Sequence, residues 1–432
     1  MTASVAGNYA SSKLKGMFQN EDAAAASREE SMRVAGDRIA KTLGELKGAV
    51  MKVGQMASVA SDILPRELTE ALTKLQKDAP PMAFEVIESQ IQQELGGSPD
   101  EIFATFDHEP FASASIGQVH RATTHDGEDV IVKVQYPGVD GAVDSDLRQL
   151  KLALRASGII NVSKKALDET FEETRARLHE ELNYEHEAGN TSLMAELHAD
   201  DDYLVIPSVV EAHSSRRVLT IRYEGGDTFE TARDTYDQET RDLLGRRLLQ
   251  LMATQIFRTG AIHGDPNPGN FAVRPDGRIV MYDYGCVKRL PRPLVFAYRD
   301  MIVSAIAEDY GKTEDALRRL GLRNVDGPPV EFSFYKQFRD IFVIPHQGGA
   351  VYDYGTSRMN EEVVRLIPGV MKRLSSFQPS KDLIFVDRMV GGHYGNLRTL
   401  GARVKVLELL EPYWDRVDEA PLAGTVDGPP PP

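Results

Sequence analysis

The sequence contains very little cysteine and no long apolar segment. Its single cysteine, Cys286, excludes an intrachain disulfide and any zinc site built from cysteines. No apolar run approaches the roughly 20 residues that a membrane-spanning helix needs. The first residues also lack the apolar core of a signal peptide. We therefore expect a cytoplasmic protein without a transmembrane segment.

Positive charge is also scarce. The 432 residues include 50 Lys and Arg against 65 Asp and Glu, which gives a formal net charge of -15. Nonspecific nucleic-acid binding requires cations clustered along the phosphates, so we expect no nucleic-acid partner. Any contact with a membrane should be peripheral, through an apolar helix face rather than a basic patch.

The order of sequence patterns predicts five segments. Residues 1–28 are small and polar and should form a flexible arm, and residues 29–102 carry apolar positions at helical spacing. Short strands with inserted helices follow in 103–225, and 226–418 should be mostly helical. Residues 419–432 end in four prolines and should be disordered.

Within these segments, hydrophobic periodicity and turn residues predict the individual elements. The predicted helices cover 83–95, 164–197 and 236–259, and the predicted strands cover 111–122, 129–135, 203–210, 216–223, 271–274 and 278–282. Turns ending in Asp-Gly, at residues 125–127 and 275–277, should close two hairpins.

The strongest chemical signal lies in the loop 261–270 and the strand end 281–285. Asp265 and Asn270 have four residues between them, and Asp283 stands in a Tyr-Asp-Tyr-Gly sequence after an apolar strand. Phosphoryl transfer from ATP needs a residue that orients the attacking oxygen, together with carboxylate and amide oxygens that hold Mg2+. A D-x-x-x-x-N loop followed by D-[FY]-G supplies all three. We predict Asp265 as catalytic and Asn270 and Asp283 as metal ligands.

A lysine on an apolar strand, Lys133, is the second element of this pattern. In a kinase such a lysine contacts the ATP phosphates and pairs with a carboxylate on a later helix. Spacing alone does not choose among four candidate carboxylates, namely Glu180, Glu181, Glu185 and Glu187.

The loop before Lys133 contains no G-x-G-x-x-G. Alanine and serine replace most of its glycines and only Gly117 remains, so Ala114, Ser115 and Gly117 are the predicted nucleotide contacts there. Glu224 and Gly225 follow a predicted strand and suit a hinge that binds adenine through the backbone.

These motifs together resemble the UbiB family of atypical kinase-like proteins, which includes AarF, over about residues 30–400. The family's KxGQ motif appears as Lys52-Val-Gly-Gln55, its alanine-rich loop as 111–120, and its E-x-D-Y-x-x-E-A helix motif as 181–188. There are two departures from the family pattern. Asn183 replaces an aspartate, and Ser113 interrupts the alanine run.

The resemblance implies an α+β, protein-kinase-like bilobal fold, with a small sheet-containing lobe, a mostly helical lobe and an N-terminal helical extension. It implies Glu187 as the carboxylate partner of Lys133. It also implies that Lys52, Gln55 and Glu181 form a regulatory lid over a site that binds ATP with Mg2+.

The resemblance further implies slow ATP hydrolysis in support of quinone or isoprenoid-lipid metabolism, with proteins of that pathway or a membrane surface as partners. Generic protein kinase activity is not expected, because Gly264 replaces the arginine of regulated kinases and no A-P-E segment follows Gly285. Two alternatives remain open. One is a small-molecule phosphotransferase resembling aminoglycoside or choline kinases, and the other is a nucleotide-sensing scaffold without catalysis.

Overall fold

The computed structural model describes residues 82–427, apart from 114–116, most of 140–181, 325 and 381–382. These residues divide into two compact units. Unit 1 comprises the described part of Met1–Ala188 together with Val209–Tyr223, and unit 2 comprises Gly189–Ser208 and the described part of Glu224–Pro432.

Unit 1 is built around one antiparallel sheet. Its elements are α1 (Phe84–Leu95), α2 (Pro99–Ile102), β1 (Thr105–Phe106), β2 (Ala112–Ser113), β3 (Gly117–Thr123), β4 (Asp129–Gln135), the start of α3 (Tyr184–Leu197) and β6 (Val218–Arg222). Four of the five strands follow the order β1-β3-β4-β6, and the fifth strand, β2, pairs with β3. The strand β4 is therefore central, with β3 and β6 on its two sides.

Alternation along β4 places two kinds of side chain on the two faces of this sheet. Val132 and Val134 point to one face, where they are fully buried with Ile87 and Ile91 of α1 in an apolar core. Lys133 lies between them in the chain and points to the other face, because successive residues of a strand alternate. The turn that joins β3 to β4 contains Gly127 at φ +81, a left-handed conformation that glycine adopts without strain.

Unit 2 is mostly helical. Its strands are β5 (Leu204–Val205), β7 (Ala261–His263), β8 (Phe271–Val273), β9 (Ile279–Met281), β10 (Val287–Arg289), β11 (Tyr352–Asp353) and β12 (Arg403–Val404). Its helices after α3 are α4 (Phe229–Thr235), α5 (Gln238–Ala253), α6 (Arg292–Ile306), α7 (Tyr310–Arg319), α8 (Phe332–Phe342), α9 (Met359–Met371), α10 (Leu383–Leu400) and α11 (Val406–Asp415).

Three small sheets position the loops of unit 2. The strands β5, β9 and β8 form one sheet, and β7–β10 and β11–β12 form antiparallel pairs. The hairpin between β8 and β9 turns at Gly277, where φ is +84. One large apolar core, to which α5, α10 and α11 contribute, supports these strands. Within the part of the chain that the structure describes, no helix has the length and apolar character of a membrane span.

The structure corrects several sequence predictions. The predicted strand 203–210 consists only of β5 and an isolated bridge at Val209. The predicted helix 164–197 is interrupted at residues 182–183, and α3 starts at Tyr184 because the Asn183 side chain accepts a hydrogen bond from the Glu185 amide at 3.1 Å. Asparagine favours this helix-start position over the helix interior, since its side chain satisfies a free N–H group.

Two further differences concern unit 2. The predicted helix 236–259 instead comprises α5 and a π-helical turn, Thr254–Thr259. The segment after residue 419, predicted to be disordered, is packed as far as the structure describes it, and Leu422 is buried. The Arg289 guanidinium donates to the carbonyl oxygens of Gly424 and Thr425 at 2.9 and 3.0 Å, which fastens this segment to β10.

Candidate functional site

Unit 1 places Lys133 against Glu187. The Lys133 Nζ lies 2.5 Å from Glu187 Oε1, and the two side chains keep only 12% and 9% of their surface exposed. Glu187 lies in the first turn of α3, which covers the same sheet face as Lys133. The structure therefore brings together the predicted lysine and the one glutamate, among four candidates, that the family resemblance selects.

The start of α3 is fixed on the sheet by neighbours of Glu187. Tyr184 packs in a buried cluster with Ile131 and Leu219 of the sheet, and Ala188 packs against that cluster. The Tyr184 amide donates to the Arg216 carbonyl oxygen at 3.0 Å. These contacts fix the helix turn that carries Glu187, so its carboxylate reaches the lysine of the central strand.

Unit 2 holds Asp265 through both carboxylate oxygens. The Asn270 Nδ2 donates to Asp265 Oδ2 at 2.8 Å, so the two predicted residues of the D-x-x-x-x-N loop are in direct contact. The Arg388 Nη2 lies 3.2 Å from Asp265 Oδ1. Arg388 belongs to α10 and lies more than 120 positions after Asp265 in the chain. Arg388 could not be predicted from the sequence, because no local motif connects it to the loop.

Asp283 lies just beyond β9, where its backbone is fixed. Its Oδ1 accepts a hydrogen bond from the Gly285 amide at 3.0 Å. The Nε2 of His263, a residue of β7, donates to the Asp283 carbonyl oxygen. Burial lowers the pKa of His263, because the charged imidazolium is poorly solvated there. A neutral His263 with its proton on Nε2 thus links the loop strand to the Asp283 segment.

Two side-chain amides support the same segment, and one of them, Gln255, is buried. The Gln255 Oε1, in the π-helical turn after α5, accepts from the His263 amide at 2.9 Å. The Asn190 Nδ2, in the part of α3 that belongs to unit 2, donates to the Tyr284 carbonyl oxygen at 2.9 Å. Single-turn π-helical insertions often occur at functional sites. Neither amide could be predicted from the sequence, since each lies in an ordinary helical pattern.

The donor set around Asn270 and Asp283 fits Mg2+. The Asn270 Nδ2 donates to both the carbonyl oxygen and Oδ2 of Asp265, which assigns the amide orientation. The Asn270 Oδ1 consequently faces away from Asp265 and accepts no hydrogen bond from a described residue. One amide oxygen and one carboxylate are hard oxygen ligands of the kind Mg2+ prefers, with water and phosphate completing its shell. Among described residues, no cluster of three His, Cys, Asp or Glu side chains forms another candidate metal site.

The predicted hinge residues are held within unit 2. The Arg274 side chain pairs with Glu224 Oε2 at 2.6 Å and donates from Nε to the Gly225 carbonyl oxygen at 2.8 Å. The Tyr282 hydroxyl donates to the Glu224 carbonyl oxygen at 2.7 Å. Each carbonyl oxygen has a second lone pair, so it can still accept from an adenine amino group.

Close packing explains why two positions of the candidate site are occupied by glycine. A Cβ on Gly264 would lie 2.8 Å from Cys286 Sγ, so this position has no room for the arginine of regulated kinases. A Cβ on Gly117 would lie 2.1 Å from the Val134 carbonyl oxygen, so the β3–β4 pairing itself requires glycine there. The predicted nucleotide contact at Gly117 therefore has a competing structural explanation. The remaining predicted site residues, Ala114, Ser115, Lys52, Gln55 and Glu181, lie outside the described residues.

This combination of a strand lysine paired with a helix glutamate, a D-x-x-x-x-N loop and a strand-end aspartate is the arrangement of kinase-like proteins. The chain matches the ABC1 atypical kinase-like domain over residues 74–317, more than half of its length. It belongs to this family of atypical kinase-like proteins, also known by its UbiB and AarF members. The predicted family and the predicted α+β kinase-like fold are both confirmed.

Named relatives agree with the family assignment. The chain is 30% identical to the mitochondrial atypical kinase coq-8 of Caenorhabditis elegans, over 83% of this chain and 48% of that protein. It is 32% identical to the chloroplastic protein ACTIVITY OF BC1 COMPLEX KINASE 8 of Arabidopsis thaliana, over 63% of this chain and 36% of that protein. The chain thus spans less than half the length of either relative.

A solved structure covers more of the chain. The complex of Rv3197 with erythromycin from Mycobacterium tuberculosis has a TM-score of 0.61 and 28% sequence identity, and the alignment covers 94% of this chain and 100% of that one.

Proposed function

We propose that this protein binds ATP with Mg2+ and hydrolyses it slowly or transfers its terminal phosphoryl group. Lys133 would bind the α- and β-phosphates, and Glu187 would hold its ammonium group in place. Asn270 and Asp283 would hold the metal, which neutralises charge on the phosphoryl oxygens when it is bound. Asp265 would orient the attacking hydroxyl or water, and the backbone at Glu224 and Gly225 would bind adenine.

The observation that carries this proposal is the Lys133–Glu187 ion pair. Burying two charges between a sheet and a helix has a desolvation penalty that often exceeds their mutual attraction. Such a pair therefore contributes little to the free energy of unfolding. A lysine held on a central strand by a helix glutamate is, however, what phosphate binding in a kinase requires. The loop motif alone is weaker support, since Asp-Pro and Pro-Gly-Asn sequences are common in turns.

Transfer to ordinary protein substrates is not proposed. The strand β10 begins two residues after Gly285 and pairs with β7, and α6 begins at Arg292. The described chain therefore leaves no room here for the long activation segment on which protein kinases bind a peptide. A substrate in quinone or isoprenoid-lipid metabolism is proposed instead, because a relative bears the name of a mitochondrial coq-8 kinase.

ATP turnover tests this proposal directly. Purified protein should hydrolyse ATP slowly with Mg2+ and stop when EDTA is added. Anionic liposomes and quinone-precursor mimics should each be added separately, and an increase with either would identify the class of partner. Absence of magnesium-dependent turnover under all these conditions would refute the enzymatic proposal and favour a nucleotide-sensing scaffold.

A small-molecule phosphotransferase is the second candidate. The observation that favours it is the solved structure of a relative in complex with erythromycin, which covers nearly the whole chain. A screen of alcohol and amine acceptors with labelled ATP, with erythromycin among them, separates the two candidates. Label transfer to a soluble acceptor would support this candidate, whereas release of labelled phosphate alone would support the ATPase.

The lid formed by Lys52, Gln55 and Glu181 stays a prediction from the sequence. Lys52 and Gln55 are three residues apart, which aligns them on one side of a helix. If they cover the nucleotide, Lys52→Ala should change ATP affinity or turnover, whereas Lys41→Ala should not. Equal behaviour of the two variants would reduce this segment to an ordinary helical appendage.

A further inference from the structure

One face of α10 contacts the loop that carries Asp265. The residues of this face are three or four positions apart, which aligns side chains along one side of a helix. They are Phe385, Arg388, Gly392 and Asn396. The helix lies beyond residue 317, where the match to the family domain ends.

The contact between α10 and the loop is close. A Cβ built on Gly392 would lie 2.1 Å from Pro266 Cγ, so any larger residue would push the loop away. The buried Asn396 donates from Nδ2 to the Pro266 carbonyl oxygen at 3.1 Å. Gly391 and Gly395 of the same helix have no atom within 4 Å of a built Cβ. Of the three positions 391, 392 and 395, packing therefore requires glycine only at 392.

Arg388 acts on the aspartate itself. Its Nη2 lies 3.2 Å from Asp265 Oδ1, while Asn270 holds Oδ2 from the other side. The Arg388 and Asp265 side chains are 44% and 34% exposed. Ion pairs this exposed contribute little to the free energy of unfolding. The contact is therefore better suited to fixing the rotation of the carboxylate than to stabilising the fold.

We propose that Arg388 is a positioning residue for Asp265 and that α10 is the support of the Asp265 loop. This inference rests on the proposed function, in which Asp265 orients the attacking oxygen. With Oδ2 held by Asn270 and Oδ1 by Arg388, the carboxylate keeps one orientation relative to the loop. A misplacement of about 1 Å in such a group can slow a reaction by up to about 100-fold.

Arg388→Gln tests the proposal, with Arg398→Gln as the matched control. Arg398 is an exposed arginine of the same helix. We expect Arg388→Gln to lower kcat for ATP by about tenfold. Its KM, its affinity for Mg-ATP and its Tm should stay at the wild-type values. Arg388→Lys should recover part of the loss, and Arg398→Gln should lose nothing.

A second arm uses the Asp265→Asn background. Because Arg388 acts through Asp265, adding Arg388→Gln to Asp265→Asn should lower kcat no further. Unchanged or increased kcat in Arg388→Gln would overturn the proposal, and so would an equal further loss in the Asp265→Asn background. If the wild type lacks magnesium-dependent turnover, the proposed function fails and this inference fails with it. If the wild type is active and Arg388→Gln keeps the wild-type kcat, the proposed function stands and only the role of Arg388 is refuted.

The glycines of α10 give an independent test of its role. Gly392→Ala should lower kcat, because its methyl group displaces Pro266 and with it the loop. Gly391→Ala and Gly395→Ala have open space and should keep wild-type kcat, with a slightly higher Tm from improved helix propensity. Equal kcat in all three variants would show that α10 does not position the loop.

Discussion

In unit 1 the candidate lysine lies on a regular central strand, and its glutamate comes from one helix packed on the same sheet face. In unit 2 the candidate aspartate lies on a loop whose position depends on distant parts of the chain. Arg388 and Asn396 contact this loop from α10, and Gln255 contacts the strand before it. A regular strand thus holds its functional side chain by its own geometry, whereas a loop has to be held from outside.

Arg323 in unit 2 and Lys133 in unit 1 both have little exposed surface, but they differ in how completely the protein surrounds the charge. The Arg323 side chain in unit 2 is fully buried, and its Nε donates to Glu314 at 2.9 Å. Its Nη1 and Nη2 donate to the carbonyl oxygens of Ser376 and Pro328. Every nitrogen of Arg323 is thus occupied by the protein. We expect Arg323 to be structural, and Lys133, which retains some exposed surface, to act on a ligand.

Removal of the Lys133 ammonium group in unit 1 should have the largest effect, and the effect should be on ATP turnover. Lys133→Met should lower ATP turnover by about 100-fold, because a preorganised charge on the phosphates is lost. Arg222→Met is the control, since Arg222 lies on the neighbouring strand β6 and is 53% exposed. Initial rates with Mg-ATP measure both variants. Normal turnover in Lys133→Met would show that this strand has no role in phosphate binding.

Removal of the Arg323 guanidinium in unit 2 should affect the stability of the fold instead. Arg323→Met leaves the partly buried Glu314 carboxylate without its main partner and should lower the free energy of unfolding by about 3 kcal/mol. Arg318 contacts the same carboxylate at 2.9 Å but is 39% exposed, so Arg318→Met should cost less than about 1 kcal/mol. Urea denaturation compares the two variants. Equal losses would contradict the distinction between buried and exposed partners.

The contrast between the units explains what the sequence could predict. The strand with Lys133, the Asp265–Asn270 loop and the β8–β9 hairpin follow from local patterns, namely apolar alternation, motif spacing and an Asp-Gly turn. Arg388, Asn396 and Gln255 could not be predicted, because each lies in an ordinary helical sequence pattern and acquires its contact only through packing. The short strands β11 and β12 were missed for a different reason, because a two-residue strand carries too little periodicity to be recognised.

A smaller effect concerns acid stability. Burial lowers the pKa of His346 in unit 2 from 6.5 to about 4. The unfolded chain therefore binds a proton on this residue before the folded chain does. His346 consequently reduces stability as the pH falls from about 6.5 to about 4, by up to about 1.4 kcal/mol for each pH unit.

Replacement of this ring tests the acid effect. His346→Phe keeps an aromatic ring against Tyr352, whose centroid lies 4.3 Å away, and should flatten the loss of stability over that pH range. His125→Phe in unit 1 removes an exposed histidine and should leave the pH profile unchanged. Denaturant unfolding at several pH values provides the measurement, and identical slopes in His346→Phe and the wild type would contradict the assignment.

Asn270 and Asp283 are proposed to hold the magnesium of a bound nucleotide, and thermal stabilisation by Mg-ATP is the sharpest test of this role. A ligand that binds only the folded state raises its stability by RT ln(1 + [L]/Kd), so binding appears as a higher Tm. The control is Asp276→Asn, since Asp276 is an exposed carboxylate of the β8–β9 hairpin. The wild type and this control should both show a rise in Tm with ATP that requires Mg2+. Asp283→Asn should lose this rise while its Tm without ligand stays near the wild-type value. A full magnesium-dependent rise in Tm of Asp283→Asn would show that Asp283 does not hold the metal.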